Sequence, residues 1–352
     1  MAYTTIPKST AYFDTLLWTG NSSSDSGTQN ITGLNFQPDF MWNKTRSVTE
    51  NNILTDVLRG TNSFLRSNAT TLAYNPANCY QIPLTNGFTA QGDEGGEFNY
   101  TNYTYATWNW KANGAGSTNT VGSIDSTVSV NTASGFSIVK VLKSSSAVAT
   151  IGHGLGVTPK MFIVKSIDAG NNWQVYHEAT GATKALYLNS SGVPVTTSGF
   201  FNNTAPTSTV LTLGSDGAFT GNTMIIYCFA DVQGFSKIGS YTGNGNADGA
   251  FVYTGFKPAF MITRRSDTGN SWYMYTGKTS TSGGNLTDKY LEANATTAEA
   301  TTTGEYGFDF LSNGFKATGT GGGTNASGGT YIYMAFAEEP LVSTNGNAAT
   351  AR

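Results

Sequence analysis

Two histidines, His153 and His177, are the only imidazoles in 352 residues. Any metal, triad or general acid–base chemistry of the usual kind would be built around them. His153 stands in Gly152-His153-Gly154-Leu155-Gly156, which reads as a turn, and His177 follows Trp173-Gln174-Val175-Tyr176 at a strand end. No His-x-x-x-His, Cys-x-x-Cys or Gly-x-Ser-x-Gly accompanies either one. The densest carboxylates, Asp93-Glu94-Gly95-Gly96-Glu97, suggest a loop calcium site by their hard oxygens, but they lack the alternating Asp/Asn pattern and read more simply as a solvated acidic turn. Glu338-Glu339 reads as a solvated strand end, and no acid pair recurs that would run glycoside hydrolysis. Gly319-Thr320-Gly321-Gly322-Gly323 precedes no Lys-Ser/Thr and helix, so it is not a phosphate cradle. The expectation is a non-enzyme with no cofactor and no metal.

What does recur is a cation. Lys44, Lys165 and Arg264 each close the same phrase: an apolar residue, x-Pro, then a short apolar run. Such a cation can meet a sugar carboxylate or a neighbouring subunit. It can also pair with a local acid such as Asp56 or snorkel from a strand end, and recurrence in every copy favours this structural role. Tyr100 and Tyr103, near the acidic loop, are the other candidates for ligand or partner contact. Trp108 and Trp110 lie two apart on one strand and share a face; a same-face pair reads first as packed core, with a sugar platform as the alternative.

The elements behind these residues repeat three times. Phe36-Gln37-Pro38-Asp39-Phe40-Met41-Trp42-Asn43-Lys44 returns as Val157-Thr158-Pro159-Lys160-Met161-Phe162-Ile163-Val164-Lys165 and as Phe256-Lys257-Pro258-Ala259-Phe260-Met261-Ile262-Thr263-Arg264. Each copy ends in an aromatic strand reaching Trp110, Phe229 or Phe336. Trp173-Gln174-Val175-Tyr176 echoes Trp272-Tyr273-Met274-Tyr275, and the stretches ending at Asn68, Asn189 and Asn294 echo one another. Short apolar runs between Gly, Asn, Asp and Ser clusters predict an all-β chain of three tandem antiparallel β-sandwich, jelly-roll-like repeats. Residues 1–111 hold the first with its N-terminal segment, 112–134 a Gly/Ser/Thr-rich linker, 135–231 the second, 232–341 the third and 342–352 a flexible tail. The second and third follow each other so closely that they should pack together. Residues 286–300 have room for a turn or two of helix.

Composition agrees with strands. Charged residues are 12% and Gly numbers 42, so the surface is polar through hydroxyls and amides. A net charge of −3 without a basic run argues against nucleic acid. No basic-then-apolar leader opens the chain and no apolar run is long enough to span a bilayer. Cys79 and Cys228 occupy unmatched positions and read as free buried thiols.

The phrases around Gln37–Lys44, Gly152–Lys160, Gly234–Gly245 and Tyr331–Glu338 resemble repeats in virion structural proteins of tailed bacteriophages, especially phages of marine bacteria. The resemblance runs from about residue 10 to 341. It implies a tail-fibre-like virion component, assembled in the host cytoplasm, with no catalytic residues. The partners it implies are other virion proteins and, through sandwich-end loops, a host surface glycan or envelope protein. One reading is a receptor-binding adhesin; the other is a head decoration or cement protein, favoured by the lack of heptads and β-helix repeats. A homo-oligomer, as a trimer, suits both. A glycan depolymerase is a distant third.

Overall fold

The computed structural model describes residues 4, 6, 8–24, 26–76, 78–92, 94–282, 285–302 and 304–337. The tail at 342–352, Asp93 and Glu338-Glu339 lie outside them. Among the described residues, twenty-seven strands, one short α-helix and two 3-10 turns (Ser9–Ala11 and Glu94–Gly96) follow in order. The first unit holds β1 (Phe13–Thr19), β2 (Thr28–Thr32), β3 (Phe40–Thr45), β4 (Asn52–Asp56), β5 (Phe64–Arg66), β6 (Tyr80–Leu84), β7 (Gly87–Gln91) and β8 (Thr104–Trp110). The second holds β9 (Ser117–Asn119), β10 (Ser126–Asn131), β11 (Phe136–Lys143), β12 (Ala149–Gly152), β13 (Met161–Ser166), β14 (Gln174–His177), β15 (Lys184–Tyr187), β16 (Val195–Thr196), α1 (Ser198–Phe201), β17 (Val210–Leu213) and β18 (Asn222–Phe229). The third holds β19 (Ser236–Thr242), β20 (Phe251–Tyr253), β21 (Pro258–Arg265), β22 (Tyr273–Thr276), β23 (Lys289–Glu292), β24 (Ala300–Thr301), β25 (Phe308–Leu311), β26 (Gly314–Ala317) and β27 (Thr330–Ala337).

All pairings between these strands are antiparallel. Each unit has one large sheet built to the same plan. The orders are β1-β8-β3-β4-β5, then β11-β18-β13-β14-β15-β16, then β19-β27-β21-β22-β23-β24. A small sheet packs on each: β2-β7-β6, β12-β17 and β20-β26-β25. This is the expected all-β sandwich architecture. The recurrent Pro falls just before β3 and β13, where a missing N–H costs no ladder bond, and at the start of β21, where the register shifts between Pro258 and Phe260.

Two expectations are corrected. Residues 112–134 are not a loose linker, because β9 and β10 extend the second large sheet past β11. Ser126 and Val128 are buried there, and Val128 joins the second unit's own core. The Ser126-Thr127-Val128-Ser129-Val130 alternation is a strand signal masked by the Gly/Ser-rich surroundings. Residues 286–300 hold β23 and the start of β24, and the one α-helix among the described residues lies elsewhere, at Ser198–Phe201. Thr197 caps it, its side chain accepting from the Gly199 N–H.

The core explains why β3 and β13 are buried at every position. Alternate residues face opposite sides of a strand. In β13, Phe162 and Val164 face their own small sheet, while Met161 and Ile163 face away from it. The second set meets its counterparts from the other units in one shared cluster. It contains Phe13, Phe40, Trp108 and Trp110 of the first unit, Phe136, Tyr227 and Phe229 of the second, and Phe260, Met334 and Phe336 of the third. Rings touch across every boundary: Phe40–Tyr227 at 4.2 Å, Phe229–Phe336 at 6.2 Å and Phe13–Phe336 at 4.8 Å. The three large sheets thus close a ring around one aromatic centre. The Trp108/Trp110 pair is core, and the core it fills belongs to all three units.

Candidate functional site

The three cations sit at equivalent register positions. Lys44 pairs with Asn52 across β3 and β4, and Arg264 and Lys165 stand where Trp272 and Trp173 continue the facing strands. All three cations are fully buried. Each reaches backbone oxygens of another unit. The Lys44 Nζ donates to Thr296 O in the third unit at 2.9 Å and to Glu50 O in its own. The Lys165 Nζ donates to Thr70 O in the first unit at 3.0 Å, and to Ala169 O and Asn171 O at 3.3 and 2.8 Å. Arg264 Nη1 donates to Tyr187 O and Ser190 O in the second unit at 2.9 and 3.0 Å, and its Nη2 to Gly192 O.

The residue facing each cation makes the same crossing. Trp173 Nε1 donates to Arg66 O and Ala69 O at 3.0 and 3.1 Å, and Trp272 Nε1 to Tyr187 O at 2.9 Å. Asn52 Nδ2 donates to Glu292 O and Ala295 O at 3.1 and 3.0 Å, while Trp42 Nε1 donates to Asn52 Oδ1 at 3.1 Å. The accepting turns are equivalent too, centred on Asn68, Asn189 and Asn294. Within each unit that Asn accepts the backbone N–H of the residue facing the cation: Asn52 at 2.9 Å, Trp173 at 2.9 Å and Trp272 at 2.6 Å. First grips third, second grips first, and third grips second. The polar ring is closed.

Burial pushes Lys44 and Lys165 down to about 8 and Arg264 down to about 10. Those values lie above 7, so all three are mainly protonated at neutral pH. Arg264 also lies 5.2 Å from the Trp272 ring centroid. These cations are therefore occupied inside the molecule and do not present charge to a ligand. Asp56 is not the partner of Lys44. It stands at the far end of β4, opposite Phe40, where it forms a buried ion pair with Arg59 at 2.5 Å and accepts from Tyr227 Oη of the second unit at 2.7 Å.

That far end carries a second set of ties running the opposite way. His177 occupies in β14 the position Asp56 holds in β4. Its Nδ1 accepts from the Ala179 N–H at 3.1 Å, so Nε2 carries the proton, 3.4 Å from Tyr333 O of the third unit. Burial holds His177 down at about 4. Lys278 of the third unit pairs with Asp14 of the first at 2.6 Å. His153 is likewise buried and satisfied, between Thr207 O and the Leu155 N–H. Neither histidine has the partners of a triad, and among the described residues no three His, Cys, Asp or Glu are grouped to hold a metal.

Tyr100 and Tyr103 are both half-buried, their rings 4.6 Å apart and tilted by 37°. They flank a device not read from sequence. Tyr105 Oη donates to Gly96 O at 2.7 Å and accepts the Tyr100 N–H at 2.9 Å. Tyr331 repeats this with Gly322 O and the Ala326 N–H. Asn99 and Asn325, each six residues upstream, accept from Asn21 and Asn244. That shared spacing was the available signal. From the acidic loop, Glu97 turns inward to a bidentate pair with Arg66 at 2.8 and 2.7 Å, so it is not solvated. Cys79 and Cys228 are buried and unbridged, as expected.

A family model described as Domain of unknown function (DUF7483) matches residues 8–340. The chain belongs to that family. The match takes in every described strand from β1 to β27, so the family's domain is the whole ring and not one sandwich. No curated protein and no solved structure matches the chain.

Proposed function

We propose that this protein is a structural component of a bacteriophage virion surface, most simply a tail-fibre or receptor-binding adhesin that touches the host through sandwich-end loops. The observation that carries the reading is the closed ring: three sandwiches share one aromatic centre, are tied by equivalent polar contacts at one end of their central strands, and by further, dissimilar ties at the other. Such a block spends its charged and aromatic residues on internal rigidity, which suits a particle component better than a catalyst. Its units present three sets of end loops at fixed separation, the geometry that turns weak single contacts into avidity. On this reading the partners are other virion proteins and a host glycan or envelope protein. The trimer expected from sequence would be a trimer of such blocks.

The ring also supports a second reading, a head decoration or cement protein. Three units close within one chain, and the described residues include no shaft-like coiled coil, so the block is shaped to sit as a cap on an assembly. Electron microscopy of intact particles carrying a gold-labelled antibody decides between them. Label at the tail tip or fibres supports the adhesin. Label spread over the head replaces it with decoration, and unlabelled particles overturn both.

A further inference from the structure

The three small sheets are built alike but do not expose the same residues. In the third unit, β20 buries Val252 and turns Phe251 and Tyr253 outward, at 49% and 60% exposure. The register places Lys316 and Gly314 of β26 beside them, with Asp309 and Leu311 of β25 beyond. The first unit has the same framework: Ile31 is the buried residue, and Asn30 and Thr32 take the outward positions beside Thr89 and Gly87. In the second unit Thr150 and Gly152 flank buried Ile151. The sandwich therefore folds twice without aromatics at this place. Two large exposed rings on one strand are costly to leave in water, and here folding does not require them. Covering a bare glycine is not the reason, since Gly87 of the first unit has no aromatic beside it.

The surroundings indicate what the rings meet. A Cβ at Gly314 would lie 3.0 Å from Phe251 Cε2, so that ring leans over the glycine and presents a flat floor. Tyr253 also forms one wall of a cleft of about 330 Å³ lined by Asp231, Gln233 and Lys237. The flanking cations are already matched: Lys237 with Asp231 at 2.6 Å, and Lys316 with Asp248, while Asp309 stands beside Lys316 in the register. The face thus offers two aromatic platforms roughly 7 Å apart along the strand, bordered by donors and acceptors whose two cations, Lys237 and Lys316, are each held by a carboxylate. Ring faces take the C–H side of a pyranose, and the polar border takes its hydroxyls.

We propose that Phe251, Tyr253 and the adjoining cleft form a binding site for a neutral oligosaccharide. This deepens the adhesin reading and rests on it for its biological sense, but it is tested separately. The full chain is applied to an array of immobilised neutral and acidic oligosaccharides, and the strongest neutral binder is titrated by calorimetry. The comparison variant, F251N/Y253T, installs the first unit's residues at the equivalent positions, so thermal unfolding should be unchanged. We expect binding to at least one neutral oligosaccharide, at least a tenfold loss in F251N/Y253T, and no loss in Y100T/Y103T. Absence of neutral-glycan binding by the unaltered chain, equal binding by F251N/Y253T, or loss in Y100T/Y103T instead would overturn the site. So would a dimer in sedimentation that F251N/Y253T abolishes, because the rings would then be a protein contact. Particle labelling that excludes the virion leaves this result untouched, and tail labelling without glycan binding removes the site alone.

Discussion

Lys165 shows how a residue reads one way on paper and another in space. Its recurrence with Lys44 and Arg264 marked it as structural, but one of its three acceptors, Thr70 O, belongs to a different unit. Replacing it by Met removes the ammonium donor from Thr70 O, Ala169 O and Asn171 O, of which Ala169 O keeps the Asn171 N–H at 3.0 Å. Removing a desolvated ammonium offsets part of that cost, so we expect K165M to lose about 2 kcal/mol in urea unfolding. K165R should lose less than about 1 kcal/mol, since Arg264 performs the same task in the third unit. An unchanged midpoint in K165M would mean that the crossing contacts do not operate in solution. His177 carries a pH signature. Its folded value of about 4 lies below its ordinary 6.5, so the unfolded chain takes up the proton first. Its contribution is complete above pH 6.5 and is lost as the pH falls towards 4, by at most about 3 kcal/mol. Unfolding free energies measured across that window should fall less steeply in H177Q; a parallel slope would place the acid sensitivity elsewhere.

At the scale of elements, the large sheets are covered on both faces, once by a small sheet and once by the other two large sheets. An isolated unit would expose Phe136, Met161, Ile163, Tyr227 and Phe229 together. We therefore expect residues 112–231, made alone, to aggregate or self-associate in size-exclusion chromatography. A stable monomer would contradict the shared centre. The strands themselves were readable: the apolar phrase after each Pro and the aromatic closing strand fall where the pattern put them. β9 and β10 were missed because a composition reading of Gly and Ser outweighed a short Val alternation.

For the whole molecule, ties at two ends and one shared core lead us to expect that the three units unfold as a single cooperative body. Calorimetry should show one unfolding transition, with the calorimetric and van't Hoff enthalpies equal. Two or three resolved transitions would mean that the units are held together weakly. The number of ring closures also bears on function, because rigidity fixes the spacing of the outward faces that could meet a host or a shell.

The amino-acid sequence alone determined the all-β class, the recurrence of one phrase, the burial of both cysteines and the poverty in catalytic groupings. Those follow from residue type and short spacing, which act through local backbone geometry. The tertiary structure decided what each recurrence is for. A cation at the end of a strand looks the same whether it faces solvent, a ligand or a carbonyl hundreds of residues away. Lys44 and Thr296 are joined only once three sheets have closed on one another, and that closure depends on which faces remain apolar after each sandwich has formed. Phe251 and Tyr253 are the converse case: their alternation with Val252 gives a strand, but their exposure is defined only by the sheet that covers the other side.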